Sequence, residues 1–195
     1  KLYGDEIVVS SNGAQGFFGA TPDLDTCSRQ HDATTGMEVF SLMDNYDFIS
    51  YEVNTFNKNK GKESWKKEFK NNKTFYMFVK PTVQYHKEKL LSFAQKKENG
   101  VETLSSIWIT NAGKVIYETE EGTVKVTSRG TVKLNEWNLV GIKMKKIVTE
   151  VTIEGKTREI VTYKACIILN GEMSEEVNID ESVDLMDYLL VAHQE

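Results

Sequence analysis

The chain has 195 residues, 39% of them hydrophobic, and its 29 acidic and 24 basic residues give a net charge of −5. The acidic balance argues against nucleic acid or an anionic membrane as the main partner, because both require a cationic surface. No apolar run approaches the ~20 residues that a membrane-spanning helix needs, so the composition is that of a globular domain.

The first 70 residues predict few regular elements. Strands are expected at residues 6–9, 37–43 and 48–56. Between the first two lies a long polar stretch, residues 10–35, that is rich in Gly, Asp, Ser and Thr. A loop of that length in a compact domain often carries function, so we expect binding residues in this stretch.

From residue 74 onward, short β-rich runs alternate with turn residues, a pattern typical of an all-β domain. Residues 74–79 carry apolar and aromatic side chains on both faces, which predicts a central, covered strand. At residues 123–127 the alternation predicts that Val124 and Val126 point inward. The other strands are expected, in chain order, at residues 90–94, 104–110, 114–118, 131–134, 137–145, 147–153, 158–169 and 188–192.

Glycine-containing turns separate these strands. A three-residue loop ending at Gly113 predicts a glycine in the left-handed region, and Glu154-Gly155 predicts the tight turn of a hairpin. Asn170-Gly171 closes the second strand of that hairpin. No internal repeat or second-domain boundary is visible, so residues 1–195 are predicted to form a single domain.

Six segments, in order, resemble the motifs of laminin-G-like and concanavalin-A-like jelly-roll domains. They are residues 75–82, 90–93, 107–113, 135–142, 167–172 and 189–192. Residues 1–70 match this family poorly, and Phe78 stands where the family commonly has Trp. The resemblance therefore covers residues 74–192.

The resemblance implies an all-β fold of two antiparallel sheets packed face to face as a β-sandwich. It also implies a non-catalytic recognition module, secreted or at the cell surface, that binds a glycan or an extracellular protein. One alternative is a structural or assembly module whose partner is another protein chain. A carbohydrate-active hydrolase is a third reading, because fold alone does not choose among functions.

The motifs favour binding over catalysis. Hydrolases of this architecture carry Glu-x-Asp-x-x-Glu, because retaining hydrolysis needs two carboxyl groups ~5 Å apart, and this chain lacks that motif. It also lacks a Gly-x-Ser-x-Gly nucleophile turn. The acidic residues between 172 and 187 have a different spacing and read as a solvated loop.

Loop residues at one rim of the sandwich are the predicted ligand contacts. Trp65 lies in a lysine-rich polar loop, residues 57–72, where an indole would stack on a sugar ring and Lys66 would meet an acidic group. Tyr85 is a further predicted contact. The alternative is that Trp65 and Phe69 pack this loop onto the core while its lysines stay solvated.

Calcium is the cofactor that the sequence suggests. Ca²⁺ prefers several carboxylate and carbonyl oxygens, often from neighbouring loops. Asp23 and Asp25 lie in the long polar stretch, and Asp44 and Asp47 form a second acidic turn. Asx residues are also common in turns that bind no metal, so both readings stay open.

The two cysteines leave the redox compartment open. Cys27 and Cys166 fit neither a metal-binding spacing nor a Cys-x-x-Cys motif. A disulfide between them and two buried free thiols are both compatible with the sequence.

Overall fold

The fold was obtained as a computed structural model, which describes residues 9–11, 14–15, 27–31, 33, 38–42, 49–52, 72–83, 86–98, 100–180, 186 and 188–191. These residues form β-strands joined by turns, and no helix occurs among them. Every strand pair given below is antiparallel. The predicted all-β fold with two principal antiparallel sheets is therefore confirmed.

The larger sheet has eight strands. In chain order they are β1 (Val9–Ser11), β2 (Ala14–Gln15), β5 (Ile49–Glu52), β7 (Glu88–Lys97), β8 (Gly100–Ile109), β9 (Val115–Thr119), β10 (Val124–Thr127) and β15 (Tyr188–Val191). Their order across the sheet is β10-β9-β8-β7-β15-β5-β1-β2. A separate two-stranded sheet pairs β3 (Cys27–His31) with β4 (Glu38–Leu42).

The second principal sheet has five strands. They are β6 (Asn72–Val79), β11 (Asn138–Ile153), β12 (Lys156–Leu169), β13 (Glu172–Met173) and β14 (Val177–Ile179). The order is β13-β12-β11-β6, and β14 pairs with β12 beside β13. The predicted tight turn joins β11 to β12, since Glu154 (φ 52°) and Gly155 (φ 74°) both lie in the left-handed region as a type I′ turn requires.

The chain divides into two compact units. The first comprises residues 1–65, 89–104 and 186–195, and the second comprises residues 66–88 and 105–185. The prediction of a single domain over residues 1–195 stays a prediction. The first unit holds β1 to β5, most of β7 and β15, and its buried side chains include Leu91, Phe93, Ala94, Met186 and Leu190.

The second unit contains the sandwich contact. There, β9 and β10 of the larger sheet contact β12 and β14 of the five-stranded sheet. The period of two puts alternate residues of each strand into this layer. The buried residues are Ile107, Ile109, Val115, Tyr117, Val126, Val132, Val140, Ile142, Met144, Ala165, Ile167, Leu169 and Ile179.

A buried amide organises the start of β11. Asn138 is fully buried; its Oδ1 accepts from Lys133 N (2.9 Å), and its Nδ2 donates to the carbonyls of Lys133 (2.8 Å) and Glu136 (2.8 Å). Asn170 donates its Nδ2 to Asn138 Oδ1 (3.0 Å) and accepts from Leu139 N (2.9 Å). Both hydrogen-bonding ends of this buried amide are therefore satisfied, as burial requires.

Four sequence expectations are wrong. β6 is an edge strand among the described residues, not a central one, and Tyr76 and Phe78 are exposed. Val124 is exposed because the register of β10 shifts between Val124 and Val126, which leaves Val126 alone buried. Residues 131–134 form no strand, and the two strands expected within 137–153 are one continuous strand, β11.

Candidate functional site

The residues predicted from the sequence as ligand contacts lie outside the described part of the chain. This holds for Trp65, Lys66 and Tyr85. It also holds for the predicted calcium ligands Asp23, Asp25, Asp44 and Asp47. Their roles stay predictions, and the surfaces below are built from other residues.

Two aromatic side chains stand exposed on β6. Tyr76 is 65% exposed and Phe78 is 61% exposed, whereas Phe75, Met77 and Val79 on the opposite face are half-buried. Residues two apart in a strand share a face and lie about 7 Å apart. The two rings are thus neighbours on a rigid strand, a preformed apolar surface open to solvent.

The surface around these rings is apolar because of the residues that lie across the sheet. Gly141 of β11 is directly opposite Tyr76, and the same row continues through Ile168 of β12 to Met173 of β13, which is exposed. Phe78 lies opposite Leu139 in the next row. We call the residues Tyr76, Phe78, Leu139, Gly141, Ile168 and Met173 the aromatic face.

Gly141 is required by close packing. A Cβ at this position would lie 2.9 Å from the carbonyl oxygen of Phe75 and 2.9 Å from Cβ of Tyr76. Real Cβ atoms do not approach a backbone oxygen so closely without a shift of the strand.

Three lysines border the aromatic face. Lys143 lies two residues beyond Gly141 on the same side of β11, and Lys145 and Lys164 are directly opposed in the following row. Lys145 donates to Glu176. This hydrogen bond lowers the pKa of the Glu176 carboxyl, and the charges of Lys164 and Lys143 lower it further. Three cations against one anion leave this border positive.

Cys166 lies within the lysine border. It is directly opposite Lys143, and it is a free, buried thiol. Burial raises the pKa of this thiol, and the nearby Glu176 carboxylate raises it further, while Lys143 and Lys145 oppose the rise. The thiol therefore stays protonated at neutral pH, and of the two readings of the cysteines the structure has a free thiol at Cys166.

Trp108 carries a lysine cation over its ring. Lys87 donates to both carboxylate oxygens of Glu118 (2.8 and 2.7 Å), and its Nζ lies 4.5 Å from the centroid of the Trp108 ring. Glu118 is buried and Trp108 is half-buried. Because the cation already covers the indole, this cluster stabilises β8 and β9 and does not offer a free ring for a ligand.

The hairpin of β11 and β12 extends beyond the strands that the structure describes beside it. Within the described part of the chain, β6 pairs with β11 as far as Lys145, and β14 pairs with β12 as far as Tyr163. From Ile147 to Thr162 the described residues form a two-stranded ribbon in which all residues but Val151 are exposed. We call residues 147–162 the arm. A two-stranded ribbon is marginally stable in isolation.

The described residues contain neither a cluster of metal ligands nor a membrane-spanning helix. No three His, Cys, Asp or Glu side chains converge there as a metal site would require. Within the same residues no helix has the length and apolarity needed to cross a membrane.

Sequence reasoning missed the aromatic face because both faces of residues 74–79 are apolar. Such a pattern is typical of a strand buried on both sides, and only the pairing of β6 with β11 shows which residues face solvent. The flanking Lys73 and Lys80 are a signal of an edge strand that could have been used, since lysines are common there.

The sequence matches no protein-family model and no curated protein. The fold class, an all-β chain with two antiparallel sheets, rests on the structure alone.

Proposed function

We propose that this protein is a non-catalytic recognition module, of the laminin-G-like or concanavalin-A-like kind, that binds a glycan on its aromatic face. The observation that supports this proposal is the pair of exposed rings, Tyr76 and Phe78, on one side of an ordered strand. Contiguous exposed apolar patches mark interaction sites on soluble proteins.

The chemistry of the face suits a sugar. One face of a pyranose ring carries C–H groups that pack on an aromatic ring, while its hydroxyl groups need polar neighbours. Lys143 and Thr74, directly opposed in the row beside Tyr76, supply such groups within a sugar's width of the ring. Because both residues lie on strands, no loop backbone has to be ordered on binding.

The rest of the proposal follows from the resemblance stated for residues 74–192. The module acts outside the cell, secreted or displayed at the surface, and a surface protein is the other ligand of the same class of module. Calcium held by Asp23, Asp25, Asp44 and Asp47 would support binding through the loops.

A glycan array tests the proposal. The protein is applied in calcium and in chelator beside the double variant Tyr76→Ala/Phe78→Ala. Each ring contributes on the order of 1 kcal/mol of contact, so we expect the double variant to lose roughly tenfold or more in affinity. The matched control is Val124→Ala, which removes an exposed apolar side chain from the other sheet of the same unit and should bind normally.

Each outcome of the array decides a separate part of the proposal. Binding that is lost in chelator supports the calcium ligands. Binding that survives in the double variant excludes the aromatic face as the site. If the unaltered protein binds no glycan on the array, the displayed glycans are excluded and a protein ligand is favoured.

The arm favours a second candidate function, an assembly module whose partner is another protein chain. Apolar side chains are exposed along both strands of the arm, among them Ile147, Val148, Ile153, Ile160 and Val161. An exposed strand edge with apolar side chains is a surface for pairing with another chain.

A further inference from the structure

Among the described residues, β12 has a partner on its outer edge only as far as β14 extends. β14 pairs with β12 through Ile179 opposite Tyr163, and none of the described strands pairs with β12 beyond that point toward the tip. Residues 156–162 are all exposed. An added strand would continue the line of β14 and form the next rungs of the same antiparallel ladder.

A shallow cavity, open to solvent, lies at the junction. Its volume is about 300 Å³, and it is lined by Val161, Thr162, Tyr163, Asn178 and Ile179. Val161, Tyr163 and Ile179 lie on one side of the sheet, because Ile179 is opposite Tyr163 and Val161 is two residues away. A residue added opposite Val161 would point to that same side, so the cavity would receive its side chain if it is apolar.

The charges on the arm specify the next positions. Glu159 lies directly opposite Glu150 of β11 on the same side of the ribbon. Like charges in this position destabilise a strand pair, and a lysine or arginine added on the far side of Glu159 would relieve the repulsion. On the other side of the sheet, Arg158 would pair with an added aspartate or glutamate.

A second copy of this edge does not meet these demands. Two identical antiparallel edges related by a two-fold axis place one residue opposite its own copy. If the tip of each arm stops short of β14 of the other, the residue opposite its own copy is Lys156, Thr157, Arg158 or Glu159. Lys156, Arg158 and Glu159 each meet their own like charge, and a centre at Thr157 opposes Lys156 to Arg158. Like charges therefore meet in every such register.

We propose that the β12 edge at residues 156–162 binds an extended segment of a different protein as an added antiparallel strand. The segment has an apolar residue opposite Val161, a basic residue opposite Glu159 and an acidic residue opposite Arg158. Read from its N-terminus, its pattern is apolar, any residue, basic, acidic. Main-chain hydrogen bonds supply the affinity, while the cavity and the two charges supply the specificity.

Two blocked synthetic peptides test this proposal with the full chain. The probe is Thr-Ile-Thr-Lys-Asp-Thr, and the control is Thr-Ile-Thr-Asp-Lys-Thr, which has the same composition with the charges exchanged. Amide shifts of the labelled protein are followed by NMR during titration. We expect the probe to shift the amides of residues 156–163 with a Kd of about 1 mM, since a short flexible peptide loses much entropy on binding, and the control to bind at least about fivefold more weakly.

A charge exchange in the protein supplies the reciprocal measurement. The variant Arg158→Glu/Glu159→Lys should prefer the control peptide over the probe, while Tyr76→Ala/Phe78→Ala should bind the probe normally. Normal binding of the probe by Tyr76→Ala/Phe78→Ala would show that the β12 edge and the aromatic face are separate sites. The strand proposal therefore does not depend on the glycan proposal. Equal binding of both peptides or amide shifts confined to other residues would overturn the proposal. A dimer found by sedimentation, with concentration-dependent amide shifts at residues 156–162, would overturn it as well.

Discussion

Replacement of Gly141 by alanine gives the most direct measure of how the aromatic face is built. In a strand, this substitution normally stabilises by about 0.5–1 kcal/mol, because glycine loses more backbone freedom on folding. Here the new Cβ would lie 2.9 Å from a backbone oxygen of β6. Relief of such a contact by strand shifts costs about 1–3 kcal/mol. We therefore expect Gly141→Ala to lower the free energy of unfolding by about 1–2 kcal/mol.

Gly130 provides the matched control for this measurement. A Cβ on Gly130 would meet its nearest heavy atom, Glu172 Oε2, at 3.5 Å, which is ordinary van der Waals contact. Both variants are unfolded in urea, with tryptophan fluorescence as the signal. Gly130→Ala should be as stable as the unaltered protein or slightly more stable. If Gly141→Ala is equally stable, the close approach of β6 to β11 is refuted.

Two further predictions concern buried polar groups. Asn138→Ala should lower the free energy of unfolding by about 1–3 kcal/mol, because the backbone groups of Lys133 and Glu136 lose their part-buried hydrogen bonds to this amide. The exposed Asn178→Ala is its control in urea unfolding, and equal stabilities would contradict this role of the Asn138 amide. Burial raises the pKa of Tyr117 to about 12, against 10.0 for the free side chain, although the hydrogen bond to Ser105 opposes the rise. The stability from the neutral phenol is thus complete below pH 10 and is lost as pH rises through the folded value near 12, by about 3 kcal/mol in total. Stability measured against pH should fall less steeply for Tyr117→Phe, and identical slopes would count against this cause.

The turns of the fold were predictable because turn chemistry is local. Gly113 occupies the left-handed region as the sequence predicted, and the predicted turns at Gly155 and Gly171 also place their glycines there. Strand positions followed from the same turn residues, since these mark where each strand ends. The neighbours of a strand are not local, however, and so β6 was misplaced at the centre of a sheet.

The candidate surfaces were harder to predict than the fold. The exposure of Tyr76 depends on the position of β6 at an edge, and the open edge of β12 depends on where β14 stops. Neither fact is encoded within the residues concerned. The hairpin at Glu154-Gly155 was predicted, and the register of β11 against β12, with Glu150 opposite Glu159, is known from the structure.

The position of β15 has a consequence for synthesis. β15 lies between β5 and β7 in the first unit, although it follows both of them far along the chain. Until residues 188–191 leave the ribosome, β5 and β7 each present a backbone edge without this partner. The non-local pairing makes this unit slow to complete, and a chaperone that shields these edges during translation should raise the yield of folded protein.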